Sequence, residues 1–192
     1  MTTFNTTELL AGLEADVHSF LQKTDYLKKL NEHALGQQPA DDKWSIAQVL
    51  AHLNSYNRYY LPHIEAAMKG RGSRAAATKG FKPGWLGNYF TQAMYSEVVS
   101  KKQITNKMKS PKDHAPAPVQ DVNAVVSEFL AGEKQLIALI NNARQVDMAE
   151  VRVPISISRW VKISLGDTLR FLIAHQERHF LQISNILAAT AK

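Results

Sequence analysis

The 192-residue chain contains no cysteine. That absence excludes disulfides, thiolate zinc sites and a cysteine nucleophile, and it fits a reducing cytosol. Long apolar runs are missing too, so no segment reads as a membrane span. The first residues, Met1-Thr2-Thr3-Phe4-Asn5, carry neither the basic n-region nor the apolar h-region of a secretory signal. The expectation is a cytoplasmic protein without a membrane partner. Phosphate-binding loops are absent: neither GxxxxGK[ST] nor GxGxxG occurs, which argues against nucleotide-dependent chemistry. There is no internal repeat and no low-complexity tract.

What is present reads as one domain over residues 1–192, with 45% apolar and 21% charged residues, the balance of a globular protein. Net charge is +6. The cations gather in two loop-like stretches, one from Lys69 through Arg71 and Arg74 to Lys79 and Lys82, the other from Lys101 and Lys102 through Lys107 and Lys109 to Lys112. Solvated loops account for this pattern, so a nucleic-acid partner is not expected; a small anionic substrate attracted by Arg71 and Arg74 is compatible with it.

Four long segments show helical periodicity. The first runs from about residue 5 to about 34, with Leu10, Leu13, Val17, Phe20 and Leu27 on one stripe, and ends at Gly36 and Pro39. The second begins at Ser45-Ile46-Ala47-Gln48, a capping box, and carries Val49, Leu53, Tyr56, Tyr60 and Ile64 inward until Lys69-Gly70. Pro62 should kink it. The third spans about 121–141, with Val122, Val125, Phe129, Leu136 and Ile140 inward. The fourth starts at the capping signature Ser164-Leu165-Gly166-Asp167 and runs nearly to the C-terminus. Together they predict an all-α four-helix bundle. About ten residues join the first two helices, which predicts antiparallel neighbours. A connection of about fifty residues, with a short helix near 87–102, separates the second from the third and is long enough to make those two parallel. Residues 151–158 read as extended, with Pro154 arguing against a central strand.

The most informative residues are histidines. His175 and His179 stand one turn apart in Ala174-His175-Gln176-Glu177-Arg178-His179, on the inner stripe with Leu172 and Ile183. His52 occupies the inner stripe of the second helix, between Val49 and Tyr56. Three imidazoles converging from two helices would hold a metal with positions left open for water or substrate. The same residues also fit core histidines bonded to neighbouring hydroxyls or water. The pair is no HExxH protease motif: Gln176 stands where that chemistry needs glutamate, and Glu177 turns outward. Neutral imidazoles suit zinc, nickel, copper and iron alike. His63 is too far along its helix to join, and His18, His33 and His114 have no evident partners.

The blocks Trp44-Ser45-Ile46-Ala47-Gln48-Val49-Leu50-Ala51-His52-Leu53 and His175-Gln176-Glu177-Arg178-His179-Phe180-Leu181-Gln182-Ile183 resemble the DinB/YfiT-like superfamily. Its pattern is W-S-x-x-[EQ]-x-x-x-H-L in helix two and H-x-x-x-H-x-x-Q-[IL] in helix four. Gly84-Trp85-Leu86-Gly87-Asn88-Tyr89-Phe90 is similar to one subset of the family. The resemblance implies up-down-down-up order, a divalent ion (often nickel or zinc) on His52, His175 and His179, and frequent homodimerisation. It also implies activities such as transfer of bacillithiol, mycothiol or related small thiols to electrophiles.

Taken with these residues, the resemblance implies a metal-dependent transferase acting on a small-molecule substrate with a low-molecular-weight thiol as co-substrate. Hydrolysis of an amide or ester by metal-activated water is the second reading, and a non-enzymatic, stress-related binding module the third. Gln48, Tyr56 and Gln182 share the faces of the histidines at one-turn spacing and are candidates to support or line the site, although capping and core packing suit them equally. Tyr59, Tyr60 and Trp85 are candidates for a pocket wall.

Overall fold

The computed structural model describes residues 2–69, 80–101, 110–119 and 121–190. Four long helices form the bundle: α1 (Thr6–Leu27), α3 (Ile46–Met68), α5 (Val122–Ala143) and α6 (Leu165–Thr190). Two shorter ones, α2 (Glu32–Gly36) and α4 (Trp85–Lys101), lie in the connections. Two small antiparallel ribbons complete the fold: β1 (Phe4–Asn5) with β2 (Gly80–Phe81), and β3 (Arg152–Ile155) with β4 (Ser158–Ser164). Among the described residues no helix is long and apolar enough to cross a membrane.

Cross-helix pairs give the directions. Glu14 bonds Asn141 and Arg144 while Glu32, just past α1, reaches Asn123, so α1 and α5 are antiparallel. Asn54 bonds the Val125 carbonyl and Arg58 pairs with Glu128, so α3 and α5 are parallel. His52 meets His175 and His179 while Tyr60 meets Phe171, which sets α6 antiparallel to α3. Phe20 stacks on Phe180, alongside α6 running parallel to α1. The order is therefore up-down-down-up, as the long connection between α3 and α5 predicts.

Local chemistry starts each helix. Asn5 accepts from the backbone of Thr7 and Glu8 at the start of α1. Ser45 and Gln48 form the reciprocal capping box of α3. Asp121 accepts from Ala124 N at the start of α5. Before α6 the Ser164 hydroxyl accepts from Asp167 N and donates to the Asp167 carboxylate. The apolar stripes then close on one core that includes Leu10, Val17, Phe20, Val49, Leu53, Ile64, Phe129, Leu136, Leu169 and Ile173. Burial of such stripes, more than helix propensity, holds helices of this length in place. At Gly132 the contact of α5 with α3 is so close that an added Cβ would lie 2.8 Å from Asn57 Nδ2.

Two expectations need correction. The first helix stops at Leu27, and a separate short helix α2 follows, because Asn31 caps a new start by accepting from Ala34 N. The first two bundle helices are not neighbours: α1 packs on α5 and α6, and α3 does likewise, so α1 and α3 face each other across the diagonal. The loop of α2 and the following turn supplies the extra reach. Helix α3 runs from Ile46 to Met68 with Pro62 inside it, on the exposed face. The stretch after residue 150 is extended, as expected, and forms one strand of a hairpin whose second strand reaches Ser164. Pro154 fits there because a two-stranded ribbon has only edges.

Candidate metal centre

Helices α3 and α6 carry the three histidines to one point. His52 Nε2 lies 3.2 Å from His175 Nε2, and His179 Nε2 lies 3.1 Å from it. All three side chains are buried, and one ring nitrogen from each falls within 4.8 Å of the others. The i, i+4 spacing on α6 supplies one pair, and the antiparallel approach of α3 supplies the third ring.

Outer contacts fix which nitrogen faces inward. The Nδ1–H of His52 donates to the His114 carbonyl at 2.7 Å, and the Nδ1–H of His179 donates to Gln182 Oε1 at 2.9 Å. A neutral imidazole has one proton, so each of these rings presents a bare lone pair at Nε2. Burial is the foremost cause that drives the imidazoles toward the neutral form: His52 is pushed down to about 4 and His179 to about 3, while His175 falls well below its ordinary value. His175 can offer at most one Nε2 proton to two acceptors. At least one lone pair therefore stays unpaired inside the protein, an arrangement that costs free energy unless a cation sits among the nitrogens.

Spacing supports the same conclusion. Metal–nitrogen bonds of ~2.0–2.1 Å at tetrahedral angles separate the nitrogens by about 3.3 Å. The observed 3.1 and 3.2 Å need only slight adjustment. Outer hydrogen bonds of the kind made by His114 and Gln182 are those that orient metal-binding imidazoles.

Aromatic rings enclose the cluster. Trp44 lies 5.0 Å from His52 and 6.2 Å from His179 between ring centres, and Tyr56 lies 4.3 Å from His175. Tyr56 also packs at 4.0 Å against the His114 ring, and burial raises its phenol above the ordinary value. Ser55 donates to the His52 carbonyl at 2.6 Å and contacts His114 Nδ1 at 2.9 Å. Beyond these two residues opens a cavity of about 430 Å³ between α3, α5 and residues 113–119, with Ala51, Arg58, Pro116 and Val125 in its wall. The described contacts of Gln48 are those of the capping box and of Gln38, so its carbonyl serves the helix start. Tyr59 and Tyr60 hold the β3–β4 hairpin, bonding Ile155 O and Ser156 N, and Trp85 is mostly exposed. His63 bonds the Tyr59 carbonyl away from the cluster. Arg71 and Arg74 lie outside the described residues, as do Lys102, Lys107 and Lys109.

Two groups escaped the sequence reading. His114 sits in the irregular connection, where no periodicity links it to His52. Glu133 is fully buried on α5; its Oε1 accepts from Asn57 Nδ2 at 3.0 Å and Gln176 Nε2 at 2.7 Å, and burial raises its carboxyl to about 7. A charge placed between Phe129 and Leu136 on the apolar stripe was the available signal.

An up-down-down-up bundle with three imidazoles gathered between two of its helices defines a recognisable class, and the match is explicit. The chain belongs to the DinB superfamily, which it matches over residues 22–183. Among solved structures it is similar to YfiT from Bacillus subtilis, described as "a probable metal-dependent hydrolase with an unusual four-helix bundle topology". That similarity has a TM-score of 0.55 at 14% identity and covers 97% of this chain and 87% of that one, a likeness of fold. No curated protein sequence matches the chain significantly.

Proposed function

We propose that this protein is a divalent-metal-dependent enzyme whose ion, nickel or zinc, is held by the Nε2 atoms of His52, His175 and His179. The observation that carries the reading is the set of inward lone pairs: two rings locked by outer hydrogen bonds and a third ring 3.1 and 3.2 Å from them, all kept neutral by burial. The reaction we favour is transfer of a low-molecular-weight thiol, of the bacillithiol or mycothiol type, to an electrophilic small molecule. A bound ion supplies Lewis acidity that lowers the pKa of a thiol or water beside it.

This chain's own residues do the rest. His114 and Gln182 hold the rings in orientation. Trp44 and Tyr56 keep bulk water from the imidazoles, which strengthens electrostatic interactions there. Ser55 and His114 separate the cluster from the adjoining cavity and offer polar contacts to a substrate lying in it. The metal-competent cluster includes no carboxylate among the described residues. A site that must deprotonate water and relay the proton during hydrolysis would call on such a base; a thiol, already more acidic, depends on it less. Hydrolysis of an amide or ester is the second reading, favoured by the description given to YfiT.

The test begins with metal content of tag-free protein beside a His52→Ala/His175→Ala double variant. Near-stoichiometric metal lost in the variant supports the site, and a thiol-by-electrophile screen then follows. Turnover that requires thiol supports the transferase, and turnover without it supports the hydrolase. Protein that takes up neither nickel nor zinc would refute both.

A further inference from the structure

The β3–β4 hairpin has one side in the core and apolar side chains left on the surface. Its inner side is core: Val153 and Ile163 pair across the strands and are buried, as are Val151 and Ile155. Its turn end is pinned to α3, where the Tyr59 hydroxyl donates to the Ile155 carbonyl at 3.0 Å and Ser156 N donates to the Tyr60 hydroxyl at 3.1 Å. In the residues that follow this anchor, apolar side chains face solvent. Ile157 is 63% exposed, Trp160 83% and Val161 38%. Six large hydrophobic side chains are exposed among the described residues, and three of them fall within these five positions. Isolated exposed apolar residues need no explanation, but three within the turn and the irregular part of β4, on a hairpin anchored to α3, do.

The charge carried by the hairpin itself is of one sign. From residue 151 to 164 the chain carries Arg152, Arg159 and Lys162 and no acidic residue. The Arg159 guanidinium lies 5.1 Å from the centre of the Trp160 ring, so cation and aromatic ring are presented together. Tryptophan flanked by cations, with aliphatic side chains beside it, is suited to the boundary between lipid headgroups and acyl chains.

We propose that this hairpin seats the protein peripherally on anionic phospholipid surfaces, Trp160 and Ile157 entering the headgroup layer and Arg152, Arg159 and Lys162 meeting lipid phosphates. Charge argues against a second copy docked hairpin to hairpin, since that contact would bring like charges together. Ile157 and Val161 argue against nucleic acid, because aliphatic side chains neither stack on bases nor bond phosphates. The proposal is independent of the metal centre: Tyr59 and Tyr60, which anchor the hairpin, are about two turns along α3 from His52.

Sedimentation with phosphatidylcholine vesicles, with and without phosphatidylglycerol, tests it on the full chain. Binding is expected only with phosphatidylglycerol, together with a blue shift of tryptophan emission. Release is expected near 1 M salt, where screening acts over ~3 Å. Trp160→Ala and the pair Arg159→Glu/Lys162→Glu should each weaken partitioning by about tenfold or more. Thermal melts of the variants should match the parent, because the substituted side chains are exposed. Equal binding to both vesicle types, absence of binding, or undiminished binding by Trp160→Ala would overturn the proposal. So would displacement from vesicles by a short single-stranded oligonucleotide, which would assign the hairpin to nucleic acid.

Discussion

His52 donates its Nδ1 proton to the carbonyl oxygen of His114 at 2.7 Å, a bond that joins helix α3 to the long connection 62 residues later. Because the acceptor is a backbone carbonyl, no side-chain substitution at position 114 removes it. Gln182 plays the corresponding part for His179, but through a side chain, and so can be tested directly.

Gln182→Leu should leave His179 without its Nδ1 acceptor and lower metal affinity by about 10–100-fold, the usual penalty for losing such an outer partner. Competition against a chromophoric chelator measures it. An unchanged affinity would mean that packing alone orients the ring.

The three imidazoles make the metal-free protein sensitive to acid. Their folded pKa values are depressed, His52 to about 4 and His179 to about 3, below the ordinary 6.5. Their contribution is complete above about pH 6.5 and is lost as pH falls toward the folded values. The unfolded chain binds the extra protons, so each ring contributes a slope of about 1.4 kcal/mol per pH unit in that window. Urea unfolding at pH 7, 6 and 5 should show the loss, and His179→Leu should flatten it.

Glu133 has the opposite sign. Burial pushes its carboxyl up to about 7 in the fold from the ordinary 4.5, so its favourable contribution is complete below 4.5 and is lost as pH rises through 7. Glu133→Gln keeps an oxygen for Asn57 and Gln176 while removing the buried charge, and should stabilise the protein at pH 8 by on the order of 1–3 kcal/mol. Glu133→Leu, which strands both amide donors, should destabilise it. Denaturant midpoints of the two variants decide the point, and the histidine slope is best read in the Glu133→Gln background.

Gly87→Ala should destabilise by roughly 1–3 kcal/mol, the cost of overpacking. An added Cβ would fall 2.3 Å from Asp167 Cβ and 2.7 Å from its Oδ2. The same carboxylate accepts from Gly84 N at 2.9 Å and from Ser164 Oγ at 2.7 Å, so displacing it loosens α4 and the start of α6 together. A thermal melt is sufficient.

Ser45→Ala removes the oxygen that accepts from Gln48 N and should cost about 1 kcal/mol of stability. Chemical denaturation reads this directly.

Much of this architecture is legible in the residues because it rests on period and punctuation. The stripes Leu10-Leu13-Val17-Phe20, Val49-Leu53-Tyr56-Tyr60 and Leu169-Leu172-His175-His179 follow the 3.6-residue turn, and every one of these side chains is buried. Ser45 with Gln48, and Ser164 with Asp167, mark helix starts through bonds made within one turn. His175 and His179 share a face by helical geometry alone.

What escapes such reading depends on contacts distant in the chain. Nothing within a few residues of Glu133 discloses that Asn57 and Gln176 will meet it, nor that a peptide carbonyl at residue 114 will hold His52. The diagonal placement of α1 and α3 likewise follows from how four stripes of different width share one core. By itself the sequence determined the helices, their inner faces and three histidines able to meet. Only the tertiary structure decided which helices are neighbours, which nitrogen of His52 and of His179 faces inward, and what holds it there, because those depend on close packing between segments that the local rules of helix formation leave independent.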